Sequence, residues 1–515
     1  MSNSQKITCI MEIFFGTDGW RALLESEMNF ESVAKVAQAF ADYMNSEGGT
    51  KVAISYDTRR YSPEFAELFA EVLSGNGIEV MLSDKVTPTP VLSFTTLEQG
   101  CDAGVMVTAS HNPPQYNGIK FKCSKGGPFS LEQTRKVEAF LGANPIRKSA
   151  GHITVIDMLP AYIARIEQLI DFEAIRSSGI SVLVDSMGGA GMRLTESLLK
   201  KHGCKVDTIF GESSNDFCGR LAEPIEKNLG PLMEALKQGD WSLGVATDGD
   251  ADRLGLCMDG GRWLSAQKTI LILVDYLKRV RKLPGDIVKT SSVTDLVRVD
   301  FESDRVKVFD VQVGFKYIAD LMYERQIAFG GEESGGFGYG LHIPERDGIF
   351  SSLLAAEMLA VSGFQRLSQY VEERTAVLGD VHYDRIDFHY DGADRLSLLP
   401  RLCESIGGYA EATADTALAT EAAQATEAAQ VAQAADAKNI LCGFQIKELK
   451  TFRSSRGIVN GVKMIFGGNC RWLLMRASET ENMIRFYAEG QTDAEVTSLL
   501  SNGKTLLISL SDKKE

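Results

Sequence analysis

The sequence predicts a layered α/β protein of several domains, and three observations carry that expectation. At 515 residues the chain is too long for one hydrophobic core, since domains hold about 100–200 residues. Over its first three-quarters, short apolar runs alternate with amphipathic helical patterns, as strands and their covering helices do. After about residue 375 that grammar gives way to a series of strand-like runs.

Taken in order, Lys51–Tyr56 (KVAISY) reads as a strand, Pro63–Leu73 as a helix and Ile78–Leu82 as the next strand. The pattern returns at Ile180–Asp185, followed by Ser-Met-Gly-Gly-Ala-Gly and an amphipathic stretch to His202. It returns again at Asp286–Thr290, with a helical segment from Thr294 and a strand near Val306–Phe309. Three similar mixed α/β domains are therefore expected, repeated in architecture and not in letters. Residues 410–438 form a low-complexity tract in which 14 of 29 residues are alanine. Its composition favours helix but offers almost no large apolar face, so an exposed insertion is expected. Beyond it, Leu441–Leu449, Gly461–Phe466, Trp472–Arg476 and Met483–Ala488 read as strands of a smaller α+β domain, with Leu499–Leu510 closing it.

Net charge is −15, which disfavours phosphate backbones as bulk partners and argues against nucleic acid. A local group of Arg and Lys can still reverse the sign inside one cleft. The nine cysteines contain no C-x-x-C, so reduced thiols in a cytoplasmic setting are expected. No window approaches the roughly 18 apolar residues of a membrane span.

Four loops concentrate chemistry-bearing residues. Thr108–Lys120 follows the apolar run Ala103–Val107, which sets Ser110 and His111 at the mouth of a buried strand. A hydroxyl beside proton carriers suits a nucleophile or phosphoryl carrier, although a capped polar turn has the same letters. Asp248-Gly-Asp-Ala-Asp-Arg253 follows Leu243–Ala246, and its three carboxylates at alternate positions suit one hard cation such as Mg²⁺. Without a cation, three like charges so close would repel. Gly330–Gly338 holds Glu332 and Ser334 between glycines, a pairing able to hydrogen-bond neighbouring sugar hydroxyls. In Arg476–Arg485, Arg476, Ser478 and Thr480 can cradle a phosphate, or simply join two strands as a salt-bridged turn.

Together and in this order the loops resemble those of the α-D-phosphohexomutase family. The resemblance extends to Phe15–Arg21, Tyr56–Arg59, Thr87–Pro90 and Gly314–Tyr317. It implies three α/β domains and a smaller C-terminal α+β domain around a central cleft, with the fourth domain hinged. The expected domains are 11–150, 155–259, 260–375 and 380–515. It also implies that Ser110 is the phosphoserine and that Asp248, Asp250 and Asp252 bind Mg²⁺ with a Ser110 phosphate oxygen. Glu332 and Ser334 then read sugar hydroxyls, while Arg476, Ser478 and Thr480 hold the non-reacting phosphate. Lys120, then Lys316, then His111 are candidates for the proton acceptor, and Arg21 and Arg253 for phosphate contacts. The implied reaction interconverts glucose 1-phosphate and glucose 6-phosphate through glucose 1,6-bisphosphate. The Glu-Glu-Ser form of the third loop resembles glucose-preferring members; a phosphomannomutase or dual enzyme is the alternative, and a non-catalytic phosphosugar-binding protein a more distant one. A third reading makes the Asp-rich loop the nucleophile of an aspartyl-phosphate phosphatase. Glu479, Asn482 and Val311-Gln312 depart from the family pattern.

Overall fold

The computed structural model describes residues 13–16, 18–406, 440–454, 457–468, 470–478 and 482–511. The chain forms two compact units, Met1–Trp263 with Ile343–Val361, and Leu264–His342 with Ser362–Glu515. The alanine-rich tract at 410–438 lies outside the described residues. Among those described, no single helix is long and apolar enough to cross a membrane.

The first unit holds two sheets. One comprises β1 (Trp20–Leu23), β2 (Lys51–Tyr56), β3 (Glu79–Ser83), β4 (Ala103–Val107), β5 (Tyr116–Cys123) and β6 (Ile153–Ile156), in the order β1-β5-β4-β2-β3-β6. The other comprises β7 (Ser181–Asp185), β8 (Lys205–Ile209), β9 (Leu243–Thr247), β10 (Leu254–Met258) and β11 (Arg262–Leu264), in the order β11-β10-β9-β7-β8. A third sheet, in the second unit, comprises β12 (Asp286–Thr290), β13 (Val308–Val311), β14 (Ile327–Gly331) and β15 (Phe337–Tyr339), in the order β13-β12-β14-β15.

Four consecutive strands repeat one arrangement in all three sheets. The first strand lies between the second and the third, parallel to both, and the fourth folds back antiparallel on the third. Sheet order therefore reverses beside the first strand, where a crevice opens at the carboxyl ends of such sheets. The hairpin from third to fourth strand carries the serine loop in the first sheet, the aspartate loop in the second and the Glu332 loop in the third. Val52, Ala53 and Ile54 are fully buried, as expected of a parallel strand covered on both faces. This shared topology is the physical content of the expected architectural repeat.

The segment from Ile343 packs within the first unit. Lys122 Nζ donates to Glu345 Oε2 at 2.5 Å, Tyr162 Oη to Asp347 Oδ2 at 2.8 Å, and the helix Gly348–Ser362 is buried along nearly its whole length.

The fourth sheet is antiparallel: β16 (His382–His389), β17 (Ile440–Leu441), β18 (Phe444–Arg453), β19 (Val459–Phe466), β20 (Trp472–Ala477) and β21 (Met483–Gly490), in the order β16-β21-β20-β19-β18-β17. Alternation puts Leu473, Met475, Ile484 and Phe486 into a core with residues of the helices Leu398–Ile406 and Asp493–Ile508. The opposite face meets the third domain through buried polar groups. Lys463 Nζ donates to Ser291 O at 2.8 Å and stands 4.1 Å over the Trp472 ring. Trp472 Nε1 and the Asp295 amide donate to Glu489 Oε2 at 2.5 and 2.9 Å. These bonds join the turn at Ser291–Asp295 to the face of the C-terminal sheet.

Leu499–Leu510 closes the C-terminal domain as expected, mostly as part of the helix Asp493–Ile508, whose apolar residues meet the sheet at helical spacing. Two local expectations differ from the structure. The run Leu441–Leu449 is broken by a turn with positive φ at Cys442 (52°) and Gly443 (79°), which separates β17 from β18. The strand near Val306–Phe309 is β13, set two residues later.

Candidate active site

The serine loop follows from β4 and is held by the turn after β2. Arg59 is buried, and its guanidinium donates to four carbonyls of the loop: Ser110 and Asn112 at 2.6 Å, Pro113 and Tyr116 at 2.9 Å. Asp57 neutralises it, with Nε to Oδ2 at 3.2 Å, and accepts from Thr108 Oγ1 at 2.5 Å. Thr108 Oγ1 in turn accepts the Ser110 amide at 2.8 Å. Ser110 itself has φ of +51°, a left-handed conformation that costs a non-glycine residue about 1 kcal/mol and is sustained by this scaffold. Arg59→Lys should therefore lower stability by about 2–4 kcal/mol, because one ammonium cannot span four carbonyls. A urea melt reads this directly; an unchanged midpoint would refute the scaffold role.

The aspartate loop meets the serine loop at close range. Ser110 Oγ donates to Asp248 Oδ2 at 2.9 Å. Gly249 is required here, since a Cβ would stand 2.4 Å from Ser110 O. Asp248 Oδ1 accepts the amides of Asp252 and Arg253 at 3.0 and 3.1 Å. Asp248, Asp250 and Asp252 are buried, and each offers one oxygen within 4.8 Å of the others. Asp250 Oδ1 and Asp252 Oδ1 are buried with no hydrogen-bond partner among the described residues. An all-oxygen donor set with such orphaned atoms fits a hard divalent cation. Burial, reinforced by Asp252 and Asp250, pushes the Asp248 carboxyl well above its usual range. At Asp250 burial is outweighed by the Lys120 ammonium, and its carboxyl lies well below that range.

A ring of cations surrounds these carboxylates. Lys120 Nζ, fully buried on β5, lies 2.8 Å from Asp250, 3.1 Å from Asp18 and 3.3 Å from Asp252. Burial acts to pull its pKa down, but the three carboxylates win and hold it charged. Arg346 Nη2 stands 2.8 Å from both Asp18 and Asp252. Gly348, two residues on, could not carry a Cβ, which would lie 2.3 Å from Arg253 O. Arg253 Nε is 3.9 Å from Asp248 and from Asp252, and Arg21 Nη1 donates to Asn112 Oδ1 at 2.8 Å. His111 Nδ1 is 3.4 Å from Ser110 Oγ. Burial first, then Arg253, Arg21 and Lys120, press its pKa well down, so the imidazole is neutral.

The remaining predicted residues lie in the second unit. The Glu332–Gly336 turn closes with the Glu332 amide on Gly336 O at 3.0 Å and the Gly335 amide on Glu332 O at 3.2 Å. Glu332 is buried and Ser334 half-buried. Lys316, on the helix Phe315–Glu324, places its Nζ 5.1 Å from the Tyr317 ring centroid. Arg476 pairs in register with Arg485 on β21, which pairs with Asp387 on β16. The Ser478 amide donates to Met483 O at 2.9 Å. Thr480 and Glu479 lie outside the described residues. Asn482 Oδ1 accepts from Arg395 Nη1 at 2.5 Å and its Nδ2 donates to Asp391 Oδ1 at 3.0 Å, so its side chain is tied to the segment that follows β16. At the other unusual pair, Val311 O accepts both the amide and the hydroxyl of Ser291 at 2.8 Å.

The structure thus brings together Ser110, His111, Lys120, Arg21, Arg253 and the three aspartates. It adds Asp18, Arg59, Arg346 and Thr89, whose hydroxyl donates to Asp250 Oδ2 at 2.6 Å. Asp18, Arg59 and Thr89 lie in motifs that are visible in the sequence but give no sign there of the roles their side chains take, and Arg346 lies outside those motifs. Their only sequence signal is polar residues packed at strand ends and between glycines.

Three repeats of one α/β topology followed by an antiparallel C-terminal domain define a four-domain protein of the phosphohexomutase class. Family profiles for phosphoglucomutase/phosphomannomutase match in succession: α/β/α domain I at 12–145, domain II at 160–261, domain III at 265–377 and the C-terminal domain at 416–502. The chain is 28% identical over 499 residues to a phosphoglucomutase/phosphomannomutase of Thermococcus kodakarensis, covering 96% of this chain and 98% of that one. It is 31% identical over 363 residues to a Methanothermobacter thermautotrophicus protein named as a probable phosphoglucosamine mutase, covering 70% and 77%. A crystal structure from Thermus thermophilus, assigned as a phosphomannomutase, superimposes with a TM-score of 0.78 at 32% identity, covering 96% and 99%. The chain belongs to the phosphoglucomutase/phosphomannomutase family, that of the α-D-phosphohexomutases.

Proposed function

We propose that this protein interconverts glucose 1-phosphate and glucose 6-phosphate, with Ser110 as the phosphoryl carrier. The observation that carries the reading is Ser110 Oγ on Asp248 at 2.9 Å, at the edge of a buried three-carboxylate cluster. A hydroxyl so placed can carry a phosphoryl group of about −2 charge within reach of Asp248, Asp250 and Asp252 when these hold Mg²⁺. Bound there, with an oxygen on Ser110 in its shell, the cation would spread the charge of the phosphoryl group being transferred.

In the first transfer the bond from phosphorus to Ser110 Oγ breaks as one to the sugar's O6 forms, and the O6 proton leaves. The product is glucose 1,6-bisphosphate. In the return transfer the C1 phosphoryl passes to Ser110 Oγ, and O1 regains a proton. The first step needs a proton acceptor beside O6, and the return step needs that group, now protonated, to give the proton back to O1. His111 is held neutral by burial and its cationic neighbours. Lys120 qualifies only when Asp18, Asp250 and Asp252 turn to another cation. Lys316 is the remaining candidate. Arg21 and Arg253 bring positive charge for phosphate. Glu332 and Ser334 take the sugar hydroxyls, and Arg476, Ser478 and Thr480 take the phosphate that does not react.

Glucose is favoured by the Glu332-Glu333-Ser334 sequence, whereas relatives carry names that span glucose, mannose and glucosamine phosphates. The test is Mg²⁺-dependent turnover of glucose 1-phosphate, mannose 1-phosphate and glucosamine 1-phosphate, each with its 1,6-bisphosphate. Glucose should be preferred at least about tenfold in kcat/KM, or about 1.4 kcal/mol. Comparable glucose and mannose rates would make it a dual phosphohexomutase, and no turnover of any sugar would favour a binding protein.

A further inference from the structure

Glu333, between the two proposed sugar readers, makes its contacts within the protein. Its Oε2 accepts from Ser292 Oγ at 2.5 Å and from Thr290 Oγ1 at 3.2 Å. Both hydroxyls belong to the turn at the end of β12, which is tied down on several sides. Ser291 donates its amide and hydroxyl to Val311 O at 2.8 Å, Gln267 Nε2 donates to Ser292 O at 2.9 Å, and Lys463 Nζ donates to Ser291 O at 2.8 Å. Ser292 and Thr290 are fully buried, so the platform beneath Glu333 is rigid.

The same relation holds in the first domain. There the turn after the first strand supplies Arg59, which grips the loop after the third strand. In the third domain the last residue of the first strand, Thr290, and Ser292 of the turn after it grip the loop after the third strand through Glu333. The Glu333 charge also reaches the arginine-bearing face of the C-terminal sheet. Burial raises the pKa of Tyr383 and Tyr487, and the Glu333 charge adds to both. At Arg385 burial acts the other way, and Glu333 is among the charges that outweigh it.

We propose that Glu333 is a positioning residue, which clamps the Glu332–Gly336 turn to the Thr290–Ser292 platform and thereby aims Glu332 and Ser334. It does not read the sugar itself. The kinetic consequence rests on the mutase reading above; the structural one does not.

The experiment uses the full chain and four variants: S292A, E333A, E333Q and the double S292A/E333A. Hydrogen exchange is followed at the amides of Glu332 and Gly335, and kcat/KM is measured with the preferred hexose 1-phosphate. S292A and E333A should each speed exchange at these amides about tenfold or more and lower kcat/KM similarly, and the double variant should add little. E333Q, whose amide oxygen still accepts both hydroxyls, should regain most of both. If S292A matches wild type while E333A loses turnover, Glu333 reads the sugar and the proposal is overturned. Additive losses in the double variant would overturn it as well. If wild type turns over no hexose phosphate, the mutase reading fails, while the exchange rates still decide the clamp.

Discussion

Ser110→Ala should lower turnover by at least about a thousandfold while leaving the protein folded. The side chain lost is a single hydroxyl whose firm partner is Asp248 Oδ2, and Asp248 keeps its two amide donors on Oδ1. The loop itself is carried by Arg59 and Thr108, which hold its backbone and not Ser110 Oγ. Alanine meets about the same cost as serine at φ of +51°, so the backbone has no reason to move. The measurement is steady-state turnover beside a thermal melt. Peptide mapping for an acid-stable phosphate on Ser110 in the wild type completes it, and separates a phosphoserine from an aspartyl phosphate. Near-normal kinetics in the variant would end the carrier assignment.

Asp250→Asn should weaken Mg²⁺ binding at least about tenfold and cut turnover about a hundredfold or more. The substitution keeps the size of the side chain and removes one of three negative charges gathered within 4.8 Å. It also leaves Lys120, now flanked by Asp18 and Asp252, with less counter-charge. Direct titration of the protein with Mg²⁺ gives a readout independent of turnover. An unchanged Mg²⁺ affinity would show that the cluster is a structural ion-pair network with Lys120 and Arg346 and not a metal centre.

Much of this was legible in the letters. Lys51–Tyr56 and Asp286–Thr290 coincide with β2 and β12, because buried parallel strands must be continuous apolar or β-branched runs bounded by turns. The aspartate loop was legible because its spacing is local: three carboxylates within five residues must share one environment. Arg346 was not, since nothing in a segment after the third domain's hairpin announces a return to the first unit. It stands 2.8 Å from Asp18, a partner 328 positions away in the chain. Glu333 was legible as part of a motif and opaque in its contacts, because its hydroxyl partners lie 41 and 43 residues earlier.

The sequence by itself determined the family, the α/β class and the identity of the four loops, because each depends on residues within one short stretch. Tertiary structure alone decided which charges meet. Whether Lys120 is an amine or an ammonium, whether His111 is neutral, and whether Glu333 faces sugar or serine are questions of distance and burial. Coulomb energies and desolvation act through space, and no local pattern of letters encodes a neighbour a hundred residues away.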